Sequence, residues 1–201
     1  MIETRISLAR VLRGLAAVES PPPPPEPERP EPVRVLIPSP LGSLGVELTE
    51  NAVVGLHIVP ERKDRRRYTP LKDAERSDFL DETLGRLSEY FAGARQSLQI
   101  EYDLSVHPLD DFARRILEET ARIPYGTTRT YRKVAAAAAR GHSYRMVRAV
   151  LMANPIPILI PCHRVVPQKG GVGTYIAGTK KKEWLLKLEN RALELSAGLV
   201  V

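Results

Sequence analysis

The sequence predicts an α/β (α+β) chain: a small sheet covered by one helix, then a helix-rich half built on a helix-turn-helix-like pair. Three observations carry this. Short Val-, Ile- and Leu-rich runs separated by turn residues fill Val33 to Tyr102. Two helical segments, broken at Gly141, fill Tyr131 to Ala153. Charge divides the chain as well, with 14 Lys/Arg against 17 Asp/Glu in residues 1–105 and 16 against 7 in residues 106–201. A balance of −3 beside one of +9 suits a polyanion-binding domain joined to a near-neutral partner, although a solvated basic face has the same charge.

The elements follow in order. Residues 1–18 have the pattern of a short amphipathic helix, with Glu3, Arg5, Arg10 and Arg13 interrupting any signal-peptide core. Ser20 to Pro32 is dominated by proline and glutamate and reads as an extended spacer, so residues 1–32 are expected to be a disordered extension. Val33–Ile37, Leu44–Leu48 and Ala52–Val59 read as strands, and Ser97–Tyr102 as one more. Between them, Asp73–Ala92 reads as a helix with Phe79, Leu80, Leu84, Leu87 and Phe91 on one face, stopped by Gly93. This first domain, 33–105, reads as scaffold.

A second domain is expected over 106–192, with 193–201 as a tail. Leu109–Arg122 is helical and opens on Asp110-Asp111, which suits the helix dipole. Thr130 caps a helix over Tyr131–Arg140 that holds five consecutive alanines, Gly141 stops it, and Ser143 caps a helix to about Ala153. Arg145, Arg148, Ala149 and Ala153 give that last helix the character of one laid against a duplex; a plain helical hairpin has the same spacing. Three prolines in Pro155–Pro161 forbid a helix and imply an extended, buried strap leading to Cys162. Thr179–Asn190 closes the pattern as a helix with Trp184, Leu185, Leu186 and Leu188 apolar.

Cys162 is the only cysteine. That excludes an intrachain disulfide and a multi-cysteine zinc site and fits a reducing compartment. His57, His107, His142 and His163 show no metal-ligand spacing, so neither metal nor cofactor is expected. No apolar run reaches membrane-span length. Cys162 is followed by His163, and a thiol becomes a strong nucleophile as a thiolate, which a neighbouring imidazole or cation favours. A buried, inert cysteine is the other reading of the same residue.

Asn154-Pro-Ile-Pro-Ile-Leu-Ile-Pro-Cys-His-Arg-Val-Val166 strongly resembles the active-site motif of the O6-alkylguanine-DNA alkyltransferases, also called methylated-DNA–protein-cysteine methyltransferases. The resemblance extends through IPYGTTRTY (123–131), the Arg145 helix, VGTY (172–175) and KEWLLKLE (182–189). It implies a ribonuclease H-like N-terminal domain and a winged helix-turn-helix-like C-terminal domain. The implied activity is irreversible, single-turnover alkyl transfer from guanine O6 to Cys162, with O4-methylthymine a second candidate lesion. His163 is implied as general base through a water, Glu189 as the acid that orients it, and Asn154 as the brace of the strap. Arg145 resembles the finger that fills the space of a flipped base, and Tyr131 the aromatic that crowds the target phosphate. Val165 is implied to offer a backbone carbonyl to the guanine amine, while Val172, Gly173, Tyr175 and Ile176 form the lid. The implied partner is double-stranded DNA through its minor groove; the cysteine usage, the N-terminus and the lack of a long apolar run lead one to expect a cytoplasmic protein with no membrane association, and a monomer is expected.

Three departures bear on DNA affinity and lesion range. Ile176 stands where many relatives carry a small polar or basic residue, Arg148 where they often have glycine, and Met152 where an Arg is common. The presence of Cys162 argues against a non-catalytic lesion binder, and the PCHR strap is unexplained by a winged-helix transcriptional regulator.

Overall fold

The computed structural model describes residues 31–58, 65–138 and 144–198. They belong to a unit spanning Glu31–Val201. The expectations for residues 1–30, 59–64, 139–143 and 199–201 lie outside the described residues.

β1 (Val33–Ser39) and β2 (Gly42–Leu48) form a hairpin, with Val33 opposite Leu48 and Ser39 opposite Gly42. β3 (Val53–Ile58) continues the antiparallel sheet, and the two-residue β4 (Thr69–Pro70) lies parallel to β1, giving the order β3-β2-β1-β4. Alternation along the hairpin sends Val35, Ile37, Leu44, Val46 and Leu48 into the core. α1 (Asp78–Phe91) covers them with Leu80, Leu87 and Tyr90. It begins later than Asp73, because Leu71–Asp73 is a separate 3-10 turn and Ser77 caps afresh, accepting the Leu80 N–H at 3.2 Å.

Ser97–Tyr102 is not a strand. Only Tyr102 bridges to Val53, through Val53 N to Glu101 O at 2.9 Å and Asp103 N to Val53 O at 3.0 Å. The rest of that edge is taken: Leu56 N donates to Pro155 O at 3.0 Å, and His107 Nε2 meets Val54 O at 2.6 Å. Residues 101–107 and the start of the strap therefore share one sheet edge.

α2 (Asp111–Ala121), capped by Asp110, packs with α3 (Tyr131–Ala138) and α4 (Tyr144–Met152). Thr130 caps α3, accepting from Lys133 N at 3.3 Å. β5 (Arg129–Thr130) runs parallel to β6 (Val165–Val166), pairing Arg129 with Val165 and Thr130 with Val166, so α3 starts at the end of this short ladder. α5 (Thr179–Gly198) runs through most of the expected tail. Its extra turns are held by packing: Ala192 is buried, and Leu193 and Leu188 join the core.

Gly126 shows how closely α5 approaches. Its backbone is left-handed (φ +66), and a Cβ there would meet Leu193 Cδ1 at 2.0 Å. Gly85, in α1, has nothing within 4 Å of such a Cβ. Gly126→Ala is therefore expected to cost about 1–3 kcal/mol, and Gly85→Ala to gain about 0.5–1 kcal/mol. Denaturant unfolding of the two variants checks both signs.

Candidate active site

The strap delivers Cys162 by a tighter route than the expected extended one. Ile160 N closes back on Ile156 O at 3.0 Å, and Ile158, a β-branched residue, is left-handed (φ +80). Pro161, at φ −80 and ψ 63, is then the centre of an inverse γ-turn, with Cys162 N donating to Ile160 O at 2.8 Å. Proline forbids a helix here but does not demand extension; burial of Ile156, Ile158 and Ile160 folds the segment on itself. Asn154 braces it, with Nδ2 donating to Ile160 O at 2.9 Å and Oδ1 accepting from Ile156 N at 3.1 Å.

Cys162, His163 and Arg164 form one 3-10 turn, all buried. His163 Nε2 lies 2.9 Å from Glu189 Oε1, and both side chains are fully buried. Arg164 grips the same carboxylate, with Nη2 at 2.9 Å from Oε1 and Nε at 3.0 Å from Oε2. Gly126 N donates to Oε2 at 2.9 Å and the Tyr90 hydroxyl to Oε1 at 2.8 Å. Arg164 also donates to Ile123 O at 2.6 Å and stacks on Tyr125.

Burial would raise the Glu189 carboxyl, but the hydrogen bonds and charges of His163 and Arg164 outweigh it and hold it at about 2. Burial pushes His163 below its ordinary value against the pull of Glu189, and Arg164 and Lys182 lower it further. The ring is thus neutral at pH 7. With its Nε2–H donated to a carboxylate, the basic nitrogen is Nδ1, which is buried and has no hydrogen-bond partner among the described residues.

Cys162 departs from the thiolate expectation. Burial raises its thiol to about 11, overriding the Asn154 hydrogen bond and the Lys182 charge. Lys182, absent from the sequence reading as a site residue, is fully buried; Nζ donates to Val165 O at 2.6 Å and Thr174 O at 3.2 Å and sits 5.8 Å from the Tyr131 ring. Burial lowers it to about 8, opposed by the charge of Cys162.

A cleft of about 1070 Å³ is lined by Tyr131, Tyr144, Arg148, Pro167, Gly173 and Thr174. Thr174 ties its walls: its carbonyl meets Lys182 and, at a long 3.5 Å, the Tyr131 hydroxyl, while its Oγ1 accepts from Arg148 Nε at 2.9 Å. Tyr175 is buried edge-on to His163 at 6.3 Å. A Cβ on Gly173 would lie 2.9 Å from Pro167 and 3.5 Å from the Tyr131 hydroxyl, so the chain passes there without one. Val172 is half-buried and Ile176 exposed. On α4 only Val147 and Leu151 are buried, leaving Tyr144, Arg145, Met146, Arg148, Ala149 and Met152 outward. The structure thus brings together Cys162, His163, Glu189, Asn154, Tyr131, Val165 and Tyr175. Arg145 stands apart on the exposed face. Sequence reasoning missed Tyr90, Arg164 and Lys182. For Lys182 the signal was present: Lys182, Leu185, Glu189 and Ala192 form the buried stripe of α5, spaced three, four and three apart.

A lone buried cysteine next to a buried His–Glu pair, with an outward helix bearing arginines, defines the class of site. Residues 111–191 match the model of the 6-O-methylguanine DNA methyltransferase DNA-binding domain. The methylated-DNA–protein-cysteine methyltransferase of Methanosarcina barkeri is 35% identical over 159 residues, covering 79% of this chain and 97% of that protein. The protein of the same name from Mus musculus is 30% identical, covering 77% and 79%. The crystal structure of Mycobacterium tuberculosis OGT in complex with DNA aligns with TM-score 0.68 and 30% identity, over 79% of this chain and 93% of that one. The chain belongs to the methylated-DNA–protein-cysteine methyltransferase family.

The depressed His163 and Glu189 values set a pH dependence of stability. For both, the unfolded chain binds the proton more readily than the folded one, so stability falls on acidification. The loss begins below pH about 6.5 with His163 and steepens below about 4.5 as Glu189 approaches its folded value of about 2. Urea unfolding from pH 7 to 3 should show this, with a shallower first phase in His163→Gln; a flat profile would contradict it.

Proposed function

We propose that this protein repairs alkylated DNA by moving the alkyl group from guanine O6 onto Cys162, once per molecule. The observation that carries this reading is the neutral His163 whose Nε2–H is fixed by Glu189 and whose Nδ1 is free to take a proton. With the thiol at about 11, about one molecule in ten thousand carries a thiolate at pH 7, so a base must act during the reaction. Nδ1 takes the Cys162 proton through a water, sulfur forms a bond to the alkyl carbon, and the carbon–O6 bond breaks with its electron pair going to the guanine. The guanine gains a proton and leaves; the thioether does not revert, so the protein is consumed.

The target oxygen lies within the base stack, so the nucleotide must be turned out into the cleft. Tyr131 lines the cleft, and Arg145, exposed on α4 among small and apolar residues, suits a side chain that enters the vacated stack. Val165 O and the backbone of 172–176 would hold the guanine edge. Such a reading favours the minor groove and little sequence preference. It extends to a ribonuclease H-like 33–105 domain, a winged helix-turn-helix-like 106–192 domain, and a cytoplasmic monomer, with O4-methylthymine a second substrate. Arg148, bound to Thr174, is proposed to exchange that bond for a phosphate.

Incubation with a duplex containing O6-methylguanine should add one methyl, mapped by mass to the Cys162 peptide and lost in Cys162→Ala. No gain would sink the reading. Arg145→Ala should slow transfer from duplex by about tenfold or more, and from a single strand far less. Because Cys162 is packed on all sides, methylation should lower stability by about 1–3 kcal/mol; an unchanged melting temperature after reaction would count against that.

A further inference from the structure

The hydrogen-bond network around Glu189 reaches outside the basic half of the chain. Tyr90 stands at the end of α1, in the part of the sequence that reads as scaffold, 99 residues from Glu189. Its ring is buried and held edge-on by Phe91 at 5.5 Å and Tyr125 at 5.9 Å. Its hydroxyl donates at 2.8 Å to Oε1, the oxygen that also meets His163 Nε2 at 2.9 Å and Arg164 Nη2 at 2.9 Å. Arg164 Nε adds a fourth contact to it at 3.2 Å, and four donor atoms from three residues leave the carboxylate no rotation that keeps them all.

We infer that Tyr90 is a positioning residue for alkyl transfer, its phenol fixing the Glu189 carboxylate and thereby the orientation and tautomer of His163. This rests on the repair reading above. Burial, then the charge and hydrogen bond of Glu189, raise the phenol well above its ordinary value, so it stays a donor and disperses part of the carboxylate charge. The groups facing His163 are Glu189 and Lys182 from α5, Cys162 and Arg164 from its own turn, and Tyr175 from the lid. Of these, only Glu189 is touched by Tyr90. Losing the phenol leaves more negative charge for the imidazolium, so the His163 midpoint should rise.

The test compares Tyr90→Phe with wild type in two measurements, at a temperature where circular dichroism shows both folded. The first is single-turnover methyl transfer from an O6-methylguanine duplex between pH 5 and 8. The second is an imidazole nitrogen NMR titration of His163, assigned by His163→Gln. We expect transfer at pH 7 to slow about threefold to tenfold, and both the acidic limb of the rate and the NMR midpoint to move up. Tyr125→Phe is the packing control, since it removes a neighbouring hydroxyl that has no hydrogen-bond partner among the described residues. It should leave both midpoints in place. A slower or less stable Tyr90→Phe with unmoved midpoints, or an equal shift in Tyr125→Phe, overturns the inference. If wild type transfers no methyl, the repair reading falls, and the NMR midpoint alone still decides whether Tyr90 governs His163.

Discussion

A carboxylate buried away from water is costly unless every lone pair is met, and Glu189 is the group around which this structure meets that requirement. Four elements converge on it: the end of α1 through Tyr90, the turn before β5 through Gly126, the 3-10 turn through His163 and Arg164, and α5, which carries it. Arg164 neutralises the charge, so His163 need not. That division lets the imidazole sit uncharged beside an ionised acid, which is the state a base must be in before it acts.

The same burial that protects this network keeps Cys162 a thiol. A strained strap, a γ-turn at Pro161 and the Asn154 brace hold the sulfur in a dry site, where the neutral form is favoured. In the proposed single-turnover reaction, a sulfur that is inert at rest is spared until substrate and a proton acceptor are both in place. Lys182 joins β6 to the 172–175 segment through the Val165 and Thr174 carbonyls and presents a cation that lowers the thiol.

Much of this was legible in the sequence, for identifiable reasons. The β1–β2 hairpin and α1 follow from period-two and period-three-to-four apolar spacing, and Ser77, Asp110 and Thr130 are capping residues where the structure uses them. Cys162, His163, Asn154 and Glu189 were named through a motif, and the structure brings them to one place. What failed depended on partners distant in the chain. Ser97–Tyr102 has a strand's composition, but the β3 edge it needed is shared with residues 101–107 and Pro155. Tyr90 looks like any aromatic on a helix until Glu189 is placed opposite it. Thiol ionisation could not be read from the His neighbour, because burial outweighs the nearby charges.

The central claim is that Cys162 rests as a neutral thiol and is deprotonated only in the reaction. As the sole cysteine, it gives a single signal when the side-chain β-carbon is labelled with carbon-13. Nuclear magnetic resonance of the free protein should show the thiol shift unchanged from pH 6 to 9, with ionisation only on approach to about 11. A thiolate shift at neutral pH would contradict the account and place activation in the resting protein, before DNA is bound.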